Sequence, residues 1–198
     1  MNPGEIEMMF PPRPTALVHQ ILAGFLREGD WVIDATAGNG HDTHFLAGAV
    51  GSSGRVLAFD VQQAAIAAAR ARMVQAGMAA RVDFFQESHA RMEKHASRAC
   101  IAAVLFNLGY LPGEDHALTT TAAETIVALD AAVRVLKCPG GVISVVCYPG
   151  HAAGLQEANA VEGWMAERAN TGWRVAKYGA IHTRRPAPFL LLAQSVTI

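Results

Sequence analysis

A doubly wound α/β fold, a mostly parallel sheet with helices on both faces, is what this sequence predicts. Three observations point to it. Short apolar runs alternate with helical patterns five times along the chain. The run at 99–106 is apolar throughout instead of alternating with polar residues, as in a strand covered on both sides. The first run stops at a Gly-rich turn that opens into a helix. Alternation of this kind implies parallel strands joined by right-handed crossovers.

Taken in order, Leu17, Ile21, Leu22 and Phe25 recur at helical spacing behind Thr15 as a cap, and Gly29 closes that helix. Residues 31–35 form the first buried strand, 43–49 a short helix and 55–59 the second strand. Residues 62–76 are Ala-rich and helical, ended by Gly77; 81–85 and 99–106 are the third and fourth strands. Thr121 and Glu124 make a capping-box pattern ahead of a helix with Ile126, Leu129, Val133 and Leu136 on one face. Cys138-Pro-Gly-Gly turns the chain into a strand at 142–147, a helix follows near 155–168, and strands near 173–178 and 189–196 close the chain. No helical pattern separates the last two, which suits an antiparallel hairpin at the edge of the sheet. Seven strands in this order are the Rossmann-like arrangement of class I methyltransferases, mostly parallel with a C-terminal antiparallel strand. Dehydrogenase-type dinucleotide folds continue with further βα units.

The chain has 198 residues, 52% hydrophobic and 17% charged, which predicts a single globular domain over 1–198. No run approaches the roughly 18 apolar residues that span a bilayer, and residues 1–10 lack the basic-then-apolar pattern of a signal peptide. Cys100, Cys138 and Cys147 show no metal-ligand spacing, so no metal is expected and a reducing cytoplasm is the expected compartment. The net charge of −1 makes the whole chain a poor attractor of nucleic acid. RNA binding therefore needs a local patch, for which Arg13, Arg174, Lys177, Arg184 and Arg185 are candidates; they read equally well as solvated surface.

Asp34-Ala-Thr-Ala-Gly38-Asn39-Gly40 ends the first strand, where doubly wound sheets bind their ligands. Glycines there let the backbone approach a ligand closely. Asp60 closes the second strand, placed to accept hydrogen bonds from both hydroxyls of a ribose, or simply to cap the next helix. The turn lacks the third glycine of G-x-G-x-x-G, because Gly40 is followed by His41, Asp42 and Thr43. Asp42 repels a diphosphate but favours a sulfonium or an ammonium, so the local charge prefers S-adenosylmethionine (SAM) to NAD. Ser88 or His89, after the third strand, is the candidate partner of an adenine edge; the alternative is a helix cap with an exposed histidine.

Asn107-Leu-Gly-Tyr110-Leu-Pro-Gly113 ends the fourth strand, over the methyl donor in this topology. Methyl transfer is an in-line displacement, so the protein chiefly positions reactants and excludes water. An Asn carbonyl with a backbone carbonyl can hold amine hydrogens while the lone pair faces the methyl, and Tyr110 can stack on a base or contact a cation. The arrangement resembles the Asn-Pro-Pro-Tyr signature of amino-methyltransferases, with Leu-Gly in place of Pro-Pro. Tyr148-Pro-Gly-His151 ends the fifth strand and faces the same cleft. His151 is a candidate proton acceptor or a structural histidine. Glu157 is a candidate to orient it or bind the amine, or else a solvated helix acid.

These three motifs together, in this order and spacing, resemble the rRNA methylase family of class I SAM-dependent methyltransferases. That family includes the bacterial methyltransferase of 5-aminomethyl-2-thiouridine at the tRNA wobble position. The resemblance implies SAM as donor, S-adenosylhomocysteine (SAH) as product, the aminomethyl nitrogen of the tRNA anticodon loop as acceptor, and a homodimer. It places Asp34, Gly38, Asn39, Gly40, His41, Asp42, Thr43 and Asp60 at the cofactor, with Asn39 on the methionyl part; Gln62, two residues after Asp60, is a further candidate there. It places Asn107, Tyr110, Tyr148 and His151 at the acceptor; Glu157 and Arg184, read from their own positions, are further candidate substrate contacts. The chain departs from the family pattern at Ala37, at Ala153-Gly154 and at His182-Thr183, and the last bears on substrate choice. The readings that compete are a methyltransferase of another RNA nucleotide or a small amine, a non-catalytic SAM- or nucleotide-binding module, and a nicotinamide dehydrogenase. The Asn-x-x-Tyr over the donor argues against the module, since a sensor needs no amine-orienting carbonyls.

Overall fold

The structure, a computed structural model, describes residues 11–96, 100–109, 121–181 and 183–196. Among them lie seven strands: β1 (Trp31–Asp34), β2 (Arg55–Phe59), β3 (Val82–Phe85), β4 (Ile101–Asn107), β5 (Val142–Cys147), β6 (Arg174–Gly179) and β7 (Phe189–Gln194). They form one sheet in the order β3-β2-β1-β4-β5-β7-β6. The first five run parallel, and β7 inserts antiparallel between β5 and β6. The order of strands reverses between β1 and β4, so the carboxyl ends of these neighbours bound the switch-point crevice.

The helices are α1 (Pro14–Phe25), α2 (His41–Ala49), α3 (Gln63–Gln75), α4 (Glu93–Ala96), α5 (Ala122–Val135) and α6 (Ala152–Asn170). Successive strand residues point to opposite faces, and each face has its own core. Val32, Val56, Ala58, Ala103 and Leu105 pack with Leu22, Leu46 and Met73 of α1, α2 and α3. Ile33, Leu57, Phe59, Val104 and Phe106 pack with Leu129 of α5 and Val161 of α6. Two covered faces explain why the central strand β4 carries no polar alternation. Among the described residues no helix is long and apolar enough to cross a membrane.

Local chemistry sets the helix ends, and here the structure corrects several expectations. Helix α1 starts at Pro14 with Arg13 at the N-cap, not at Thr15; proline at the first helical position supplies a preset φ and needs no donor. Its buried face is Val18 and Leu22, while Ile21 is exposed. Helix α2 starts at His41, two residues early, because Gly40 takes a left-handed conformation at its N-cap. At α5 only half of the capping box forms. Thr121 Oγ1 accepts from the Glu124 amide at 3.3 Å, but the Glu124 carboxylate turns away to accept from Ser88 Oγ.

Leu129 is fully buried between α5 and the sheet. Leu129→Ala should lower unfolding free energy by about 2–5 kcal/mol through lost burial and a residual cavity, read as a shifted urea midpoint with unchanged slope.

Candidate active site

The carboxyl ends of β1, β2, β4 and β5 open into one cavity of about 1120 Å³. That exceeds the roughly 300–1,000 Å³ of a cleft for one small ligand, so a donor and an acceptor fit together. Its charged wall consists of Asp42, Asp60, Glu87 and Glu124; among the described lining residues there is no Lys or Arg. Such a wall attracts cations and repels a diphosphate.

The β1 turn is held from two sides. Gly38 N–H donates to Asp60 Oδ2 and Gln62 N–H to Asp60 Oδ1, both at 2.9 Å. Asp60 therefore anchors the start of α3, and each of its oxygens keeps a second lone pair. From outside, Arg72 Nε donates to the Asn39 carbonyl at 2.8 Å, and its guanidinium lies 3.2 Å from His41 Nε2. Gly38, Asn39, His41, Asp42 and Gln62 all line the cavity.

Asp34, Thr43 and Gly40 do not line it, which corrects the expectation that all three touch the ligand. Asp34 is fully buried and accepts from Thr43 Oγ1 at 2.6 Å and from Thr36 N–H at 3.2 Å. The pair braces β1 against α2. Burial first, then the Asp42 and Asp60 charges, push the Asp34 carboxyl up to about 7 from its ordinary 3.8. Gly40 is required by packing: at φ +77°, a Cβ there would lie 2.8 Å from the Ala69 Cα of α3.

At the β3 side, His89 is buried, which overturns the reading of an exposed histidine. Its Nδ1 lies 2.9 Å from the Ala35 carbonyl. A carbonyl only accepts, so Nδ1 carries the proton and Nε2 presents a lone pair. That Nε2 is buried with no hydrogen-bond partner, on a residue of the cavity wall. Burial holds the imidazole below its ordinary pKa, hence neutral at pH 7. Ser88, the other candidate at the base, is committed elsewhere: its hydroxyl donates to Glu124 and accepts from Ala90 N–H at 3.2 Å.

At the β4 end, Asn107 N–H donates to Thr36 Oγ1 at 2.7 Å. Its side-chain Nδ2 donates to Asp42 Oδ2. Because a carboxylate only accepts, the amide must turn its NH₂ to Asp42, which leaves Oδ1 buried and without a partner. That oxygen is a fixed acceptor waiting for a donor. Tyr110 lies outside the described residues. Tyr148 packs its ring against Gly109, where an added Cβ would sit 3.6 Å from the ring. Burial, then Asp42, raise the Tyr148 phenol above its ordinary pKa, so it stays protonated.

His151 lines the cavity, but its chemistry differs from the base expected. It N-caps α6, its Nδ1 accepting from Gly154 N–H at 3.1 Å. The Nδ1 lone pair is thereby engaged and the neutral ring carries its proton on Nε2, a donor and not an acceptor. Gly154 permits this cap, since a Cβ there would lie 2.3 Å from the Tyr148 carbonyl. Glu157 is also corrected: it is buried, takes a 2.6 Å hydrogen bond from Thr125 Oγ1 between α5 and α6, and does not reach the cavity. Arg184 is exposed and off the wall, although Pro186 and Pro188 of the same segment line it; His182 lies outside the described residues.

Sequence reasoning missed Thr36, His19 and Glu124, all on the wall. Thr36 could have been found as a hydroxyl inside the turn motif. His19 and Glu124 come from helices remote in sequence and carry no local signal beyond a polar residue on a part-buried helix.

Several known proteins share this architecture. A family model described as "Putative rRNA methylase" matches residues 56–194. The chain is 37% identical over 188 residues to the Arabidopsis thaliana protein named tRNA (mnm(5)s(2)U34)-methyltransferase, chloroplastic, covering 90% of this chain and 68% of that one. Among solved structures it is similar to a "putative rRNA-methylase" from Clostridium thermocellum, with 36% identity, a TM-score of 0.88, and 93% and 98% of the two chains covered. A "putative methyltransferase" from Streptococcus mutans in complex with SAH is 30% identical, with a TM-score of 0.83 over 93% and 98% of the chains.

Two outcomes follow from the brace behind the site. The folded Asp34 pKa lies above its unfolded value, so between about pH 4 and 7 the folded state holds the proton more tightly. Stability from this group is present at low pH and falls as pH rises through that window. Urea unfolding of Asp34→Asn should show a smaller loss of stability between pH 5 and pH 7.5 than the native chain. Gly40→Ala should destabilise the chain by at least about 1 kcal/mol, since the left-handed backbone and the α3 contact both oppose a Cβ; thermal unfolding checks it.

Proposed function

Because the chain belongs to the family described as "Putative rRNA methylase", we propose that it methylates the aminomethyl nitrogen of 5-aminomethyl-2-thiouridine at the wobble position of tRNA. The chain is a SAM-dependent methyltransferase, as its family and SAH-bound relative establish. The observation that carries the choice of a nitrogen acceptor is the unpartnered, buried Oδ1 of Asn107. An acceptor atom with hydrogens satisfies that oxygen; an acceptor without them leaves it unpaired, at a cost of about 1–3 kcal/mol. The named activity of the Arabidopsis relative supports the wobble uridine as the nucleotide.

The residues present fit the cofactor. Asp60 can take the ribose hydroxyls, the orphaned Nε2 of His89 can accept a hydrogen bond from the nucleoside, and the Gly38 turn admits the chain to close range. When bound, SAM supplies a methyl group on a positively charged sulfur. The acid wall of Asp42, Asp60, Glu87 and Glu124 favours that charge and also gathers the cationic amine. An alkylamine of pKa about 10 is protonated at pH 7 and has no lone pair to attack with until it loses a proton. His151 is engaged through Nδ1, so the proton passes to water at the open mouth. Asn107 Oδ1 then holds one N–H, which aims the freed lone pair, and Tyr148 covers the acceptor from the β5 side. Proximity and orientation of this kind are the main contribution such a site makes.

An anticodon uridine is single-stranded and can be splayed into a pocket, so no groove-reading element is needed. Arg184 and Arg185, exposed beside Pro186 at the mouth, are the candidate phosphate contacts. Assembly as a homodimer and a cytoplasmic location complete the proposal.

Purified protein with labelled SAM should methylate tRNA from a strain lacking the modification, and nucleosides from a deletion strain should accumulate 5-aminomethyl-2-thiouridine. Absence of both overturns the substrate. Asn107→Ala should lower turnover by about a hundredfold or more while calorimetry finds SAH binding retained; undiminished turnover removes the role given to Oδ1.

A further inference from the structure

His19 stands outside every motif of the turn and of the acceptor loop, yet it lines the same cavity. It comes from α1, where its ring stacks on Phe45 with centroids 4.0 Å apart and planes 9° from parallel. Its Nε2 lies 2.7 Å from Asp42 Oδ1. The other oxygen of Asp42 takes the Asn107 amide. Three helices or strands thus meet in one line of side chains: Phe45, His19, Asp42, Asn107.

We propose that His19 is a positioning residue for methyl transfer, acting through Asp42 to fix the amide of Asn107 with its carbonyl oxygen toward the acceptor; this rests on the reading of the site as an amine methyltransferase. The physical reason lies in the symmetry of a primary amide. Asn107 has two orientations of nearly equal shape, and only one offers a carbonyl oxygen to an amine. Asp42 selects that orientation, because two facing acceptors repel. A carboxylate can select it only while it is itself held, and the Asp42 side chain retains 14% of its surface exposed, enough for water to draw it away. His19 supplies the second restraint. Since its partner is an acceptor, Nε2 carries the proton, and the stack on Phe45 keeps that N–H aimed at Oδ1.

The arrangement also explains why an acid stands at the second position of α2. At a helix N-terminus a carboxylate is favoured by the backbone dipoles, and the two oxygens of Asp42 are shared between a donor from α1 and a donor from β4. The chain therefore couples α1, a wall of the cavity, to the group that orients the acceptor.

The test uses two substitutions that separate donor from ring. His19→Phe keeps the stack on Phe45 and removes the N–H. His19→Gln gives up the ring and restores an N–H at similar reach. Turnover and KM are measured on tRNA carrying 5-aminomethyl-2-thiouridine, SAH affinity by calorimetry, and the Asn107 side-chain amide by nitrogen-15 NMR. His19→Phe should lower kcat by about ten- to a hundredfold, the scale of a small misplacement, with KM and SAH affinity unchanged and the Asn107 NH₂ signals moved toward those of a free amide. His19→Gln should recover most of the turnover and the signals. Native kcat in His19→Phe, equal impairment in both variants, or a loss matched by lost SAH affinity overturns the proposal. Should the native protein leave that tRNA unmethylated, the substrate assignment fails, and the Asn107 signals still decide this one: unchanged in His19→Phe, they overturn it.

Discussion

The hydrogen bond from the Asn107 amide to Asp42 joins the two halves of the site. Asp42 belongs to the first turn of α2, which follows β1, and Asn107 to the end of β4; β1 and β4 neighbour each other where the sheet order reverses. A second bond, from Asn107 N–H to Thr36 Oγ1, ties the same two segments through the backbone. Without this junction the donor and acceptor loops are two separate turns on neighbouring strands. With it, the two loops border one cavity, and the Asn107 amide is held with its oxygen free of Asp42.

The carboxylates around that junction divide into two kinds. Asp42 and Asp60 face the cavity with their oxygens partly engaged by N–H groups and partly open, so each fixes a loop and keeps lone pairs toward the cavity. Asp34 and Glu157 are fully enclosed and bound by threonine hydroxyls. They shape the site from behind. Burying an acid beside two others raises the energy of its charged form, a strain that the sheet and helices around Asp34 must offset. The negative potential of the cavity comes from the acids on its wall, Asp42, Asp60, Glu87 and Glu124, and suits a sulfonium and an ammonium in one chamber.

Much of this was legible in the sequence wherever the determining interactions are local. Strands β2 and β5 run over the residues expected, because an apolar run between polar or glycine stops defines a strand buried on both faces. The cap at Thr121 and the antiparallel closing strand were likewise expected, and the cavity does form at the ends of β1, β2, β4 and β5. What the sequence concealed is direction and depth. The motif around Asp34 reads as a ligand loop, but Asp34 is turned inward and buried, so this acid serves as a brace. His151 reads as a base, yet its place before α6 makes it a cap. Glu157 reads as a surface acid, and the approach of α5 encloses it. His19 and Glu124 reach the site only through tertiary packing of α1 and α5, which no spacing along the chain encodes.

The most direct test is a crystal structure with SAH bound. Asp60 should lie within hydrogen-bonding distance of the ribose hydroxyls, with the sulfur facing Asn107 across the width of one methyl group and Asp42 still holding the amide. A nucleoside bound elsewhere, or a sulfur pointing away from the end of β4, would contradict the assignment of donor and acceptor to this single cavity.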